Sequence, residues 1–375
     1  MKALHLISGG DSGGAKTHVF SLLGELKNHI DVKIICFTSG IFYQEILDMD
    51  IPVDLFLQKH RYDLSVVKKL VTLIRDEKYE IIHTHGARAN FIAAILKRYI
   101  RLPIVTTVHS DYLLDFDGSL YRRLVYTGLN MLSLKYMDYY IAVSENFREM
   151  LISRKYPPHK VFTVYNGIDF DSKISYCSRE QFLTDHGITV DQDDVLVGII
   201  GRLDKVKGHE VFVKAAAEVA SKAPQCRFML AGDGNERKNL EEMAEQLGIR
   251  DKVVFLGFID KIYDLINALD INTLTSYSES FPYVLLEGAR LRKPTISSAV
   301  GGIPDLIKDG QNGYLFKSTD HSEMAEKLLK LVNNKDLRKE FGQKLYERAR
   351  DSFSNKSLAN RHIEIYREIL KMQDG

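Results

Sequence analysis

Residues 195–219 read VLVGIIGRLDKVKGHEVFVKAAAEV: an apolar run, a loop carrying Arg202, Lys205 and Lys207, and an amphipathic helical pattern after Gly208. An apolar run that does not alternate fits a strand covered on both faces, hence a parallel sheet with helices on either side. The cations follow the carboxyl end of that strand, where open α/β sheets take their ligands. Arg202 suits a bidentate grip on phosphate, and Lys207 suits a point charge beside it. Taken alone, the same loop equally fits ordinary solvated charges.

Outward from this stretch, strand and helix patterns alternate along the chain. Strands read at about 3–8, 32–37, 53–56, 81–85, 104–109, 140–144 and 161–165. A polar, aspartate-rich connection at about 169–194 precedes a second set at 195–201, 227–231, 253–257, 271–275 and 295–298. Alternation of this kind predicts doubly wound α/β domains, here 1–180 and 181–354, with a closing helix at 355–375.

Glu279 and Glu287 bracket ESFPYVLLE. Ser280 suits an N-cap and Pro282 a first helical residue, so a helix is expected from about Ser280. Its free N–H groups and positive dipole end favour a diphosphate or a cluster of sugar hydroxyls. Two carboxylates with no third acid nearby suit a polyol better than a hard cation. Acids also favour helix starts for purely electrostatic reasons, so the pair gains meaning only from its neighbours.

Near the beginning, Gly9, Gly10, Gly13 and Gly14 follow the first strand, where glycine lets backbone N–H groups approach a phosphate; a tight turn explains them equally. The spacing is neither G-x-G-x-x-G nor a P-loop, which removes the main support for nicotinamide-cofactor and Walker-type readings. Lys16 reads as a solvated first-turn lysine or a charge at that loop. His109 ends an apolar strand on the side facing the ligand crevice, whereas His5, His18 and His83 read as satisfied structural residues. Asp115 and Asp117 form a D-x-D string that a polar loop explains more simply than a metal does.

The segments GRLDKVKG, LAGDGNE (230–236), the Glu279–Glu287 pair and AVGGIPDLIKDGQNGYLF (299–316) resemble, in order and spacing, the donor-binding half of family 4 glycosyltransferases of the GT-B fold. LHLISGGDSGGAKTHV, IVTTVHSD, IAVSE and VYNGID are similar to its N-terminal half. The resemblance implies two Rossmann-like domains facing each other across a cleft and a last helix returning to the first. It also implies a retaining, metal-independent transfer of a hexose-type sugar from a nucleotide diphosphate sugar to an acceptor hydroxyl, without a cofactor. UDP-sugar is the favoured donor and GDP-mannose the other; the acceptor is a sugar or lipid-linked sugar of cell-envelope polysaccharide or glycolipid assembly.

Carried over residue by residue, Arg202 and Lys207 stabilise the diphosphate with Gly13, Gly14, Ser280 and Phe281. Glu279 holds the sugar, Glu287 the ribose, and His109 touches the sugar near the attacked carbon. Ser280 stands where the family has glycine and Asp305 where it has glutamate; the first change bears on the sugar pocket. A non-catalytic nucleotide-sugar binder, an epimerase and a phosphorylase are the competing readings on this architecture.

Composition sets further limits. The chain of 375 residues, 45% hydrophobic, is long enough for two full cores. No apolar run is long enough to span a bilayer, and MKALHLISGG reads as a strand rather than a signal peptide, so a cytoplasmic protein is expected. Cys36, Cys177 and Cys226 lack paired spacing and suggest neither a disulfide framework nor zinc. A net charge of +1 and no recognisable binding module argue against nucleic acid. Between Lys97 and Lys160, however, ten Lys or Arg stand against six acids and interleave with Tyr99, Leu120, Tyr121, Leu132 and Tyr136. That stretch fits either contact with an anionic membrane surface or helices with basic outer faces.

Overall fold

Seven parallel strands form the first sheet: β1 Lys2–Ile7, β2 Asp31–Cys36, β3 Val53–Leu55, β4 Ile81–His85, β5 Ile104–Val108, β6 Tyr139–Ala142 and β7 Val161–Thr163. Their order is β3-β2-β1-β4-β5-β6-β7, so the winding direction reverses between β1 and β4. The computed structural model describes residues 1–10, 13–60, 63–111 and 128–374. Alternate residues of a strand point to opposite faces. Leu4 and Leu6 of β1 accordingly enter one buried apolar cluster, and Ala3 and Ile7 enter another. Burial on both faces explains why the strands read as continuous apolar runs.

The second sheet contains β8 Val195–Ile200, β9 Cys226–Ala231, β10 Val253–Gly257, β11 Ile271–Leu274, β12 Thr295–Ser298 and β13 Tyr314–Phe316. Its order is β10-β9-β8-β11-β12-β13, again all parallel, with the reversal between β8 and β11. Val195, Val197 and Ile199 face one core, and Leu196 faces the other. The strand β13 is an addition to the sequence reading. It is three residues long and lies at the edge of the sheet.

The chain divides into two compact units, Met1–Asp169 with Ser354–Gly375, and Phe170–Phe353. The first border therefore precedes the expected residue 180. The intervening segment is tied to the second unit: the Phe170 ring meets Tyr346 at 5.7 Å, and Arg179 pairs with Asp270 at 2.7 Å. The chain re-enters the first unit through a parallel bridge between Ile168 and Ser354. The helix Asn355–Asp374 then buries Leu358, Ile365, Tyr366 and Ile369 in the cluster that holds Val19, Leu22 and Leu23 of the helix Gly14–Leu26.

Because Ile365 is fully buried in that cluster, Ile365→Ala is expected to destabilise the first unit by about 2–5 kcal/mol. Hydrogen exchange should accelerate in Met1–Asp169 and leave Phe170–Phe353 near its original protection. Equal acceleration in both units would contradict the division.

Candidate active site

In open α/β sheets the ligand crevice lies beyond the carboxyl ends of the strands flanking the reversal. In the second unit those strands are β8 and β11, and backbone bonds stitch their following loops together. Tyr277 N–H donates to the Val206 carbonyl at 2.8 Å, and the Thr275 hydroxyl donates to the Lys207 carbonyl at 3.0 Å. Gly208 makes this approach possible. It has φ +60°, and a Cβ there would lie 2.4 Å from the Thr275 oxygen, a distance no side-chain carbon tolerates.

The stitching brings Lys207 Nζ to 2.6 Å from Glu279 Oε1, which also accepts from the Ser276 hydroxyl at 2.6 Å. The two side chains are only 21% and 10% exposed. Behind Glu279, Gly301 adopts φ +56°, where a Cβ would sit 1.8 Å from the Glu279 carbonyl oxygen; Gly302 N–H donates to Ser280 O at 2.9 Å. Two loops thus hold the acid from opposite sides. Arg202 is less constrained: its side chain is 79% exposed and pairs with Asp204 at 3.1 Å.

The helix carrying Glu287 runs over Tyr283–Arg290 and starts later than expected. Pro282 occupies the N-cap with an extended ψ of 128°, and no side chain caps the helix, so Ser280 is not the cap. The proline disfavours helical geometry at the residue before it, and the Phe281 ring is buried against Phe353 at 5.0 Å. Phe281 therefore offers a ligand its backbone rather than its ring. Glu287 is half-buried and pairs with no cation among the described residues. Burial pushes its carboxyl up to about 7.

His209, not singled out in the sequence, opens the helix His209–Lys222 beside this site. It is buried with neither ring nitrogen hydrogen-bonded among the described residues, and burial, then the Lys207 charge, lower its pKa to about 4. The KGH triplet gave no sign of this burial.

In the first unit, Gly13 has φ +63° and precedes the helix Gly14–Leu26. Lys16 pairs with Glu45 and lies over the Phe20 ring, so its charge already has structural partners. His109 follows β5, with Nε2 3.5 Å from His85 Nδ1 and its ring 4.7 Å edge-on from His18. His5, His83 and His362 extend this group into one buried cluster. The isolated, satisfied histidines expected from sequence are therefore neither isolated nor all satisfied: His18 Nε2 has no hydrogen-bond partner among the described residues. The signal was present as H-T-H at 83–85, whose first histidine is in register with His5.

Cys36, Cys177 and Cys226 are free thiols. Of the basic stretch, Lys97 pairs with Asp138, Arg148 with Glu145 and Arg154 with Asp111, whereas Tyr99, Leu132 and Tyr136 are exposed. Asp115, Asp117, Leu120, Tyr121, Arg122 and Arg123 lie outside the described residues. Among the described residues, no helix is long and apolar enough to cross a membrane.

Comparison with known proteins matches residues 12–172 to the model of Glycosyltransferase Family 4, and residues 183–348 to that of Glycosyl transferases group 1. The chain is 29% identical over 317 residues to N-acetyl-alpha-D-glucosaminyl L-malate synthase of Bacillus anthracis, covering 83% of this chain and 80% of the relative. It is 28% identical over 366 residues, 94% of each chain, to a Campylobacter jejuni alpha-1,4-N-acetyl-D-galactosaminyltransferase that acts on an undecaprenol-diphosphate-linked sugar. HepE of Anabaena, solved in complex with UDP, superposes with a TM-score of 0.82 at 23% identity over 98% of this chain and 100% of that one. These matches, over both sheets and the loops at their reversals, settle the family: the chain belongs to the family 4 glycosyltransferases of the GT-B fold.

Proposed function

We propose that the protein is a retaining hexosyltransferase that uses a nucleoside diphosphate sugar and needs no metal ion for transfer. The observation that carries this reading is Lys207 held on Glu279 at 2.6 Å, beyond the strands where the second sheet reverses. A fixed cation at that position can meet charge that grows on a departing diphosphate, as electrostatic catalysis requires. Arg202 adds a mobile second cation, and the start of the helix Tyr283–Arg290 adds its dipole. Gly13 and Gly14 are assigned to the diphosphate, as the resemblance implies. Glu279 accepts from the sugar hydroxyls and Glu287 from the ribose hydroxyls. His109 is assigned to the sugar, as the resemblance implies. Because the acceptor approaches from the leaving-group side, no enzyme nucleophile is required.

A UDP-sugar is the favoured donor, supported by HepE having been solved with UDP and with UDP-glucose. GDP-mannose is the second donor to test. A sugar or lipid-linked sugar acceptor, in cell-envelope polysaccharide or glycolipid assembly, is supported by relatives named for undecaprenol-linked substrates. A cytoplasmic location, with peripheral contact to an anionic membrane, accords with such acceptors.

Product analysis by NMR tests the reaction. Incubation with a UDP-hexose and a panel of hydroxyl acceptors should consume acceptor and retain the anomeric configuration of the donor, with chelator in excess. Inversion, a chelator-abolished reaction restored by magnesium, or sugar conversion without acceptor would overturn the reading.

Lys207→Ala should lower kcat/KM about a hundredfold, roughly 3 kcal/mol of transition-state stabilisation. The exposed Arg202 should cost about tenfold when changed to alanine, since fewer of its contacts are pre-formed. Steady-state kinetics on folded variants checks both, and near-normal turnover in both would refute the diphosphate assignment.

Glu287 gives a pH signature. Its folded-state pKa of about 7 exceeds the ordinary 4.5, so the folded protein binds the extra proton between those values and wild-type stability falls as pH rises through that window. Glu287→Gln removes this slope. It should therefore gain stability relative to wild type from pH 5 to 8, on the order of 3 kcal/mol at most. The same variant should weaken binding of bare UDP at pH 8, where wild type presents a carboxylate. Denaturant titrations at both pH values and calorimetry read the two effects, and a pH-independent stability difference would refute the assignment.

A further inference from the structure

The histidine cluster of the first unit contains more ring nitrogens than it has internal partners. His18 Nδ1 lies 2.9 Å from the Asn166 side-chain oxygen, which can only accept. The His18 proton therefore sits on Nδ1, and Nε2 is a bare lone pair, fully buried and without a partner among the described residues. His362 Nδ1 likewise lies 2.8 Å from the Leu358 carbonyl oxygen, which can only accept, so its buried Nε2 is a second bare nitrogen. The remaining rings run in a chain, with the Tyr366 hydroxyl 2.5 Å from His83 Nδ1 and His5 Nδ1 3.1 Å from His85 Nε2. His85 turns its other nitrogen, Nδ1, towards His109 Nε2, 3.5 Å away.

We propose that His18, His85 and His109 form a binding site for a divalent transition-metal ion of the zinc type, and that occupying it inhibits transfer. One ring nitrogen from each of the three lies within 4.8 Å of one from each of the others. The 3.5 Å between His85 and His109 is long for a hydrogen bond. It is close to the roughly 3.3–3.4 Å edge of a tetrahedron with imidazole ligands at about 2.0–2.1 Å. The outer supports that orient metal-bound histidines are also present: Asn166 holds the far N–H of His18, and His5 Nδ1 stands 3.1 Å from the far nitrogen of His85. Each neutral ring keeps its one proton on the nitrogen turned away from the ion, so no proton is released. Burial keeps all three rings neutral, which leaves their lone pairs open to a cation. A cavity of about 230 Å³ lined by Gly86, His85, His109, Ser110 and Asn130 gives entry and room for water as a fourth ligand. The triad His5, His83 and His85 is the weaker candidate, because its nitrogens already face one another, Tyr366 and Thr107. The inhibitory consequence rests on the reading that His109 serves the donor sugar; the site itself does not.

The test uses the full, tag-free chain with zinc chloride by calorimetry and cobalt(II) chloride by absorption spectroscopy. One ion per chain is expected, with a tetrahedral cobalt spectrum. His18→Asn should weaken binding at least tenfold, and His29→Asn, exposed in the turn that follows the helix Gly14–Leu26, should not. X-ray absorption on the zinc-loaded wild type should show three imidazoles, a readout that stands even if His18→Asn fails to fold. Absence of binding at millimolar zinc, a shell with fewer imidazoles, or unchanged affinity in folded His18→Asn would overturn the site. Zinc should also lower transfer at least tenfold, reversibly by chelator. Stoichiometric binding with undiminished transfer would overturn the inhibition, whereas a chain inactive with every donor would count against the proposed reaction and leave the binding result intact.

Discussion

The backbone hydrogen bond from Tyr277 N–H to the Val206 carbonyl is the constraint on which the second unit's site depends. It joins loops from two strands that lie side by side only because the sheet order reverses there. A lysine and a glutamate far apart in sequence are thereby placed 2.6 Å apart and largely shielded from water. An exposed pair of this kind contributes little. Here the Ser276 hydroxyl and the close packing at Gly208 and Gly301 restrict both partners before any ligand arrives, and such pre-organisation makes a fixed cation useful in catalysis.

Strand positions were legible because burial on both faces writes each strand as an apolar run, and observed ends differ from the reading by a residue or two. The edge strand β13 was not read, although the equally short edge strands β3 and β7 were. The helix before Glu287 was placed too early because Ser-Phe-Pro satisfies local capping rules, while the tertiary packing of Phe281 against Phe353 pulls the chain away from them. Tertiary context overrode propensity there. The border near residue 180 was drawn from composition. The aspartate-rich segment includes Arg179, whose partner Asp270 is distant in sequence, and no local signal records that pairing.

The histidines illustrate a different limit. Each of His5, His18 and His83 reads as an ordinary core histidine when taken singly, since strand register and the return of the last helix bring them together. The spacing of the ring nitrogens in the cluster then carries information that no single position holds. The unit with the glycine-rich loop thus contains a dense array of neutral imidazoles, while the other contains the paired cation and carboxylate.

The most direct test of the central claim, that Glu279 holds Lys207 ready for a diphosphate, is a double-mutant cycle in UDP affinity by calorimetry. It comprises wild type, Lys207→Met, Glu279→Gln and the double variant. If Glu279 positions Lys207 for the incoming diphosphate, Lys207→Met should cost less affinity in the Glu279→Gln background than in wild type. Equal losses in the two backgrounds would contradict the account.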